Sequence, residues 1–393
     1  MLTKSGEFLD LLTIGLIVVS LCVVAMYVFY PLLLWIISSS SRSAKKVLHK
    51  RNFTPSLSVI VATYNEESVI QKKLEELLET TYPKNLLEII VVDSGSTDGT
   101  REAVREFQEK GVILIEQTER LGKASALNQA LSEARGEIIV LSDANSEFQP
   151  DSLKEILTYF DDETGAVLPR FVPNGVLSFW DKIFYSFHHM YKMLESRTDS
   201  VFIVFGELFV FRKGLITKIN EKTAADDLDI AMAIRRKQYK IKYAPTVTVK
   251  EKIPSNSKDV RVQKTRHIFG ILEVMMRNID LFGNSNFGYY GRLIFPTHLI
   301  QLTIGPFLVF AAVLLFAVKL FVVLVGILNP FMLLALFAIC IVALTSVVLI
   351  RSTRKLFSSF YGFLTVQIYI LLALLNIARK KQDFAWEKIS STR

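Results

Sequence analysis

Between residues 55 and 250, short apolar runs rich in β-branched residues alternate with amphipathic stretches. LSVIVAT (57–63) predicts a strand, and a helical pattern follows it through Glu79. LLEIIVVD (86–93) predicts a second strand, followed by a helix from Thr97 or Asp98 to Lys110. VILIE (112–116), a helix over 122–134 and EIIVLSD (137–143) continue the alternation. Apolar strands separated by helices argue for an α/β domain with a mostly parallel sheet covered on both faces. The flanks have another pattern. Leu11–Ile37 runs 27 residues without a charge. At about 1.5 Å per residue it exceeds a hydrocarbon core of about 30 Å. Leu293–Ala317, Leu320–Ile350 and Leu356–Ala378 are similarly apolar, with Lys319 and Asn329–Pro330 as candidate breaks. Three or four C-terminal membrane segments are expected.

Charge orients the first span. Lys4 stands against Glu7 and Asp10 before it, whereas Arg42, Lys45, Lys46, Lys50 and Arg51 follow it. An excess of Lys and Arg marks the cytosolic side, which puts residue 42 onward in the cytosol. The apolar run is too long for the core of a cleaved signal peptide. At the other end the same rule conflicts with itself. Arg351, Arg354 and Lys355 precede the last apolar run, and Arg379, Lys380 and Lys381 follow it. Either residues 293–350 cross three times, or the last segment is re-entrant or interfacial. The whole chain, 393 residues with net charge +8, has length for two or three units. Its basic surplus suits anionic headgroups and a substrate diphosphate. No interleaved basic and aromatic motif points to nucleic acid. Cys22 and Cys340 both lie in apolar runs, so neither a disulfide framework nor a cysteine metal site is expected.

Chemistry concentrates at the strand ends. Thr63-Tyr64-Asn65-Glu66 ends the first strand, and Asp93 and Asp143 end two others. In a parallel sheet these tips share one edge, where ligands bind. Asp98 reads as a helix N-cap. A dinucleotide fold would place G-x-G-x-x-G after the first strand, but TYNEE stands there. A bound phosphate would therefore need another neutraliser, such as a metal held by oxygen ligands. Asp143-Ala144-Asn145 offers a carboxylate and an amide oxygen two residues apart.

PSLSVIVATYNEE, VVDSGSTDGT, LGKASALNQAL, SDAN and ADDLDIAMAIRRKQYKIKY occur in this order. Together they resemble the motif blocks of family 2 glycosyltransferases over about residues 55–270. The membrane-integrated branch, which includes synthases of hyaluronan, chitin, cellulose and poly-N-acetylglucosamine, is most similar. The resemblance implies a GT-A (Rossmann-like) nucleotide-sugar-binding domain, cytosolic and inserted between transmembrane helices. It implies that Thr63, Tyr64, Glu66 and Asp93 line the nucleoside pocket, with the Asp93 carboxylate on the base, and that Lys123 lies close to the donor. Asp143 and Asn145 would hold Mg2+ or Mn2+ on the diphosphate, although Asn145 replaces the usual second aspartate. Asp227 would be the general base, since inverting transfer needs the acceptor hydroxyl deprotonated as it attacks. Asp226 would stand beside it on the acceptor side. Asp229 reads as a solvated or dipole-favoured acid of a first helical turn. VQKTRHIFG (262–270) resembles the family's Q-x-x-R-W: Gln263 and Arg266 match, and His267 replaces the tryptophan. Arg266 could clasp the diphosphate bidentately, while the loss of the tryptophan puts processivity in doubt.

Residues 176–196 space their apolar side chains as an amphipathic helix lying on the bilayer, with a core-facing helix as the alternative. His188 and His189 on it read as surface or interface residues. GELFVFRKG (206–214) predicts an acceptor-side strand, with Gly206 allowing close approach of the sugar. Glu207 beside it has no account from sequence.

The expected layout is then an N-terminal transmembrane helix (1–40), a basic cytosolic linker (41–54) and a GT-A domain (55–250). An interfacial segment (251–292), C-terminal transmembrane helices (293–378) and a basic tail (379–393) follow. The expected activity is metal-assisted transfer from a nucleotide-diphosphate sugar, UDP-linked by expectation, to a growing polysaccharide at the cell membrane. The alternative is a single transfer to a lipid-phosphate or lipid-linked acceptor. A transporter or scaffold with a dead transferase domain is a third class, and the intact Asp93, Asp143 and Asp227 argue against it.

Overall fold

The computed structural model describes residues 2–40, 53–254, 256–327 and 351–379. Most of the basic linker, the Asn329–Pro330 break, Cys340 and the tail beyond residue 379 lie outside the described residues. A helical rod opens the chain: α1 (Leu2–Val24) and α2 (Tyr30–Ser40), joined through a π-helical turn at Ala25–Phe29. The α/β domain runs β1 (Leu57–Thr63), α3 (Glu67–Leu78), β2 (Leu87–Ser94), α4 (Thr100–Arg105), β3 (Val112–Gln117) and α5 (Lys123–Glu133). It continues through β4 (Ile138–Ser142), β5 (Glu147–Phe148), α6 (Ser152–Leu157), β6 (Thr164–Asn174) and α7 (Phe179–Thr198). β7 (Leu208–Arg212), α8 (Asp226–Arg236) and β8 (Lys240–Lys252) complete it. Then come α9 (Ser257–Arg277), α10 (Phe295–Thr303), α11 (Gly305–Ile327) and α12 (Arg351–Ala378).

The eight strands form one sheet in the order β3-β2-β1-β4-β7-β6-β8-β5. The first four are parallel, β7 enters antiparallel beside β4, and β6 and β8 pair in parallel. All seven residues of β1 are buried. Val59 and Val61 join a core with Ile70 and Leu74 of α3, while Ile60 and Ala62 join the opposite core with Leu127 of α5. A strand buried on both faces must be apolar throughout, which is why alternation disappears there. Because β2 and β4 flank β1, the register sets Thr63 beside Asp93 and Val61 beside Ser142. The polar tips therefore meet at the point where strand order reverses.

Among the described residues, three helices are long and apolar enough to cross a membrane: Leu9–Ser40, Gly305–Val325 and Phe360–Ala378. Two departures from expectation concern helix ends. Lys319 does not break a span, since α11 runs through it to Ile327. A lysine with a long apolar stem is a good helix former, and only glycine or proline interrupts at appreciable cost. The helix expected over 97–110 is two pieces, α4 and a 3-10 turn at Gln108–Lys110 that stops at Gly111 with φ 91°. Asp98 is not its N-cap, which is Gly99; Asp98 instead accepts from Thr100 N at 3.1 Å.

α7 begins with a reciprocal capping box between Ser178 and Asp181. It packs against α2, α12 and β8. Phe179 and Phe187 stay exposed, while Leu194 and Glu195 are buried. The helix thus leaves apolar side chains exposed along its first half and faces the core at its end. Buried Glu195 holds three elements: Oε1 accepts from Tyr30 Oη at 2.8 Å and lies 2.6 Å from His298 Nε2, and Oε2 accepts from Phe202 N at 2.9 Å. Phe202 stacks on the His298 ring with centroids 4.4 Å apart. Breaking such a buried network by removing one partner costs about 3–5 kcal/mol. Glu195→Ala should lower the thermal unfolding midpoint in detergent more than Glu195→Gln, which keeps the side-chain volume and an acceptor for one of Tyr30 and Phe202. Equal midpoints for both variants and the parent would show that the network contributes nothing.

Candidate active site

At the tip of β1, only one of the four expected nucleoside-pocket residues presents appreciable surface. Thr63, Glu66 and Asp93 are buried, and Tyr64 is half-exposed. Asp93 accepts from Arg101 Nε at 2.6 Å, Ser96 N at 3.0 Å and Thr63 Oγ1 at 3.3 Å, and from Ser96 Oγ. In this arrangement its carboxylate holds the turn after β2 together, and contact with a base requires one of these bonds to be exchanged. The Arg120 guanidinium lies 4.1 Å from the centre of the Tyr64 ring. Neither Arg101 nor Arg120 is singled out from sequence: Arg101 is the second residue of α4, just after the VVDSGSTDGT block, and Arg120 ends the loop just before the LGKASALNQAL block.

Lys123 is the first residue of α5, directly after Gly122. Its Nζ lies 3.1 Å from Asp143 Oδ1 and 3.5 Å from Asp226 Oδ2. Burial opposes its charge, but Asp143, Asp226 and Asp227 outweigh burial and hold the ammonium well above the ordinary lysine range. Asp143 follows β4, and its turn is gripped from below: buried Lys73 of α3 donates to Ser146 O at 2.8 Å and lies 4.1 Å from the Phe148 ring centre. Asn145 donates its amide to Glu251 Oε1 at 3.0 Å, which ties this turn to β8.

Asp226, Asp227 and Asp229 fill the first turn of α8. Asp227 Oδ1 is buried and makes no hydrogen bond among the described residues. Burial raises the Asp227 carboxyl well above the ordinary aspartate range, and Asp226 adds to the rise, against the pull of Lys123. The close approach expected at Gly206 is made by this acid: a Cβ at position 206 would stand 2.6 Å from Asp227 Oδ2. Glu207, next in the chain, is pushed up to about 7, first by burial and against the pull of Lys192. Asp229 is not merely solvated, because it pairs with Arg277 of α9 at 3.1 Å and accepts from Asn220 N at 3.3 Å. Gly270 lets α9 sit on the segment before α8, where a Cβ would meet Ala225 Cβ at 2.9 Å.

Gln263, Arg266 and His267 lie half-buried on α9. Burial, then Arg266 and Lys123, lower His267 to about 4, so its ring is neutral at physiological pH. The His267 ring lies 6.1 Å from Phe205, and Phe205 6.3 Å from His188. The His188 ring lies tilted with its centre 4.3 Å from that of Phe184, which adjoins Trp180, and Trp180 adjoins Phe363 of α12. A row of rings thus runs from the crevice to an apolar helix.

No three His, Cys, Asp or Glu side chains among the described residues are grouped to hold a metal by themselves. The donor set still fits Mg2+ or Mn2+. Such ions take one or two carboxylates and complete their shell with water and substrate phosphates. Asp143 supplies the carboxylate at the strand tip, with Asn145 two residues on.

Residues 58–219 match the family model described as "Glycosyl transferase family 2". Among curated proteins, a beta-monoglucosyldiacylglycerol synthase of Nostoc is 32% identical over 207 residues, covering 48% of this chain and 42% of its own length. A poly-beta-1,6-N-acetyl-D-glucosamine synthase of Staphylococcus aureus is 25% identical over 272 residues, covering 64% of this chain and 66% of its own. The chain thus spans about two fifths to two thirds of the length of these relatives. Among solved structures, a mannosyltransferase of Pyrobaculum calidifontis in complex with GDP-Man and Mn2+ superposes with a TM-score of 0.71 at 26% identity, covering 93% of this chain and 99% of that one. Sheet order, strand-tip acids and these matches make residues 58–219 a glycosyltransferase family 2 domain of GT-A fold, an enzyme domain whose named relatives are glycosyltransferases.

Proposed function

We propose that this chain is an integral membrane glycosyltransferase that moves a sugar, with inversion, from a nucleotide-diphosphate sugar to an acceptor hydroxyl, using Asp227 as general base. One observation carries it: a carboxylate oxygen of Asp227 is buried without a hydrogen-bond partner at the edge where the strand tips converge. An orphaned acceptor of that kind costs stability unless it serves a ligand. A hydroxyl donating to it would be satisfied and activated in one contact.

The other residues take roles around that base. Tyr64 and Arg120 flank the nucleoside side, and Asp93 supports it from beneath. Arg266 is suited to a diphosphate, and Asp143 with Asn145 to its divalent ion. Bound there, Mg2+ or Mn2+ would offset the charge that develops on the leaving diphosphate. Asp226 and Gly206 frame Asp227, and the neutral His267 with Phe205 forms an apolar wall on the acceptor side. Glu207 and Asp227 together make that side acidic, which disfavours a phosphate nucleophile and favours a neutral hydroxyl.

The preferred acceptor is a growing polysaccharide and the preferred donor a UDP-sugar, with the catalytic domain in the cytosol. The row of rings from His267 to Phe363 favours a second reading, a glycolipid hydroxyl delivered from the bilayer, as in the named activity of the Nostoc relative. Purified protein in detergent, offered a panel of UDP- and GDP-sugars with Mn2+, should release nucleotide with at least one donor. A long glycosidase-sensitive product supports the polysaccharide; one sugar per added diacylglycerol supports the glycolipid. No turnover with any donor and acceptor would refute the proposal.

The pH profile is a further expectation. A general base must be deprotonated, so the rate falls as pH drops through its pKa. Since Asp227 is raised, the acid limb of kcat/KM should lie well above pH ~4, the ordinary aspartate value. A limb at or below that value would exclude Asp227 as the base.

A further inference from the structure

We propose that Lys123 is a built-in counter-ion for the acid cluster, holding the divalent cation out until the nucleotide diphosphate arrives. The inference rests on the reading of the crevice as a metal–nucleotide site and adds an order of binding to it.

The geometry is a bridge. One ammonium stands between Asp143 Oδ1 at 3.1 Å and Asp226 Oδ2 at 3.5 Å, with Asp227 the next residue of the same helical turn. Lys123 and Asp226 are largely enclosed, with side-chain exposures of 20% and 15%. Charges at such separations interact strongly when water is scarce. A cation approaching Asp143 must share that carboxylate with an ammonium already on it, so the free protein binds metal weakly.

A diphosphate changes the balance in two ways. It contributes oxygen ligands of its own to the metal. It also offers Lys123 another anion, and the flexible four-carbon stem lets the ammonium move to it. Asp143 is then released to the metal as the diphosphate enters. Metal and nucleotide therefore strengthen each other, and by linkage the factor is the same in both directions.

Lys123→Met keeps nearly the whole stem and removes the charge, and Lys123→Gln removes the charge with a shorter, polar side chain. The test is Mn2+ titration of the full chain in detergent, followed by electron paramagnetic resonance, without nucleotide and with UDP or GDP. Both variants should bind Mn2+ without nucleotide about tenfold or more tightly than the parent, and the factor by which nucleotide improves Mn2+ binding should shrink to match. Thermal unfolding supplies an independent readout. Without Mn2+ the variants, with uncompensated carboxylates, should unfold at lower temperature, and Mn2+ should raise their midpoints more than the parent's. Asp143→Asn should weaken Mn2+ binding in every background. If the parent binds Mn2+ with nucleotide but the variants bind it no more tightly than the parent without nucleotide, Lys123 does not hold the metal out and the proposal fails. If no form binds Mn2+ with either nucleotide, the metal–nucleotide reading itself fails, and this inference with it.

Discussion

Asp227→Asn should abolish sugar transfer while leaving the donor bound. The substitution keeps size and shape, so the first turn of α8 has no steric reason to change. It removes only the capacity to take a proton. Base catalysis contributes about 10²–10⁴-fold, and here the same atom also fixes the nucleophile, so kcat should fall at least about 10³-fold. Donor affinity, measured as fluorescent nucleotide binding with Mn2+, should change little. Burial and the nearby acids disfavour the charge on Asp227 in the parent, so a neutral amide relieves local repulsion and thermal stability should hold or rise. That combination separates a base from a structural acid, whose loss would lower stability along with activity. Transfer at the parental rate would end the assignment. A loss of donor binding equal to the loss of rate would move Asp227 from the acceptor to the donor.

Much of this site was legible because family 2 motif blocks sit at strand ends, where apolar runs announce themselves. β1 and β4 lie close to their predicted places, since strands buried on both faces leave no polar position to blur their edges, and β2 and the edge strand β3 do so as well, although β3 has exposed positions. What sequence could not give is lateral neighbourhood. β7 enters antiparallel between β4 and β6, and that insertion brings Gly206 and Glu207 against α8 across a chain separation of about twenty residues. No periodicity records such a meeting. Asp229 and Arg277 pair between two helices for the same reason. Asp93 shows the opposite limit. Its position at a strand tip was read correctly, but its partner Arg101 lies a turn later and takes the carboxylate inward. Lys319 was misread because a single charge in an apolar run looks like punctuation, whereas a helix tolerates it readily.

Gly206→Ala tests the geometry around the base without touching the base. The structure gives position 206 no left-handed backbone, so an alanine meets no conformational penalty there. Its Cβ would instead stand 2.6 Å from Asp227 Oδ2 and 2.9 Å from Oδ1, too near for either oxygen to stay. The intruded atoms are the end of a side chain, so the carboxylate swings rather than the fold giving way. A displacement of about 1 Å at a reacting group can cost about 10²-fold in rate, and kcat for Gly206→Ala should fall by about that factor. Thermal stability should stay within about 1 kcal/mol of the parent, since no buried partner is lost. Donor affinity should be unchanged, which distinguishes this variant from Lys123→Met, where the metal and the diphosphate are affected first. A fall in acceptor KM performance with unchanged kcat would return Gly206 to the role expected from sequence, that of admitting the sugar. Unchanged kinetics would mean that Asp227 reacts equally well from a shifted position, and the tight fit between the two residues would have no part in catalysis.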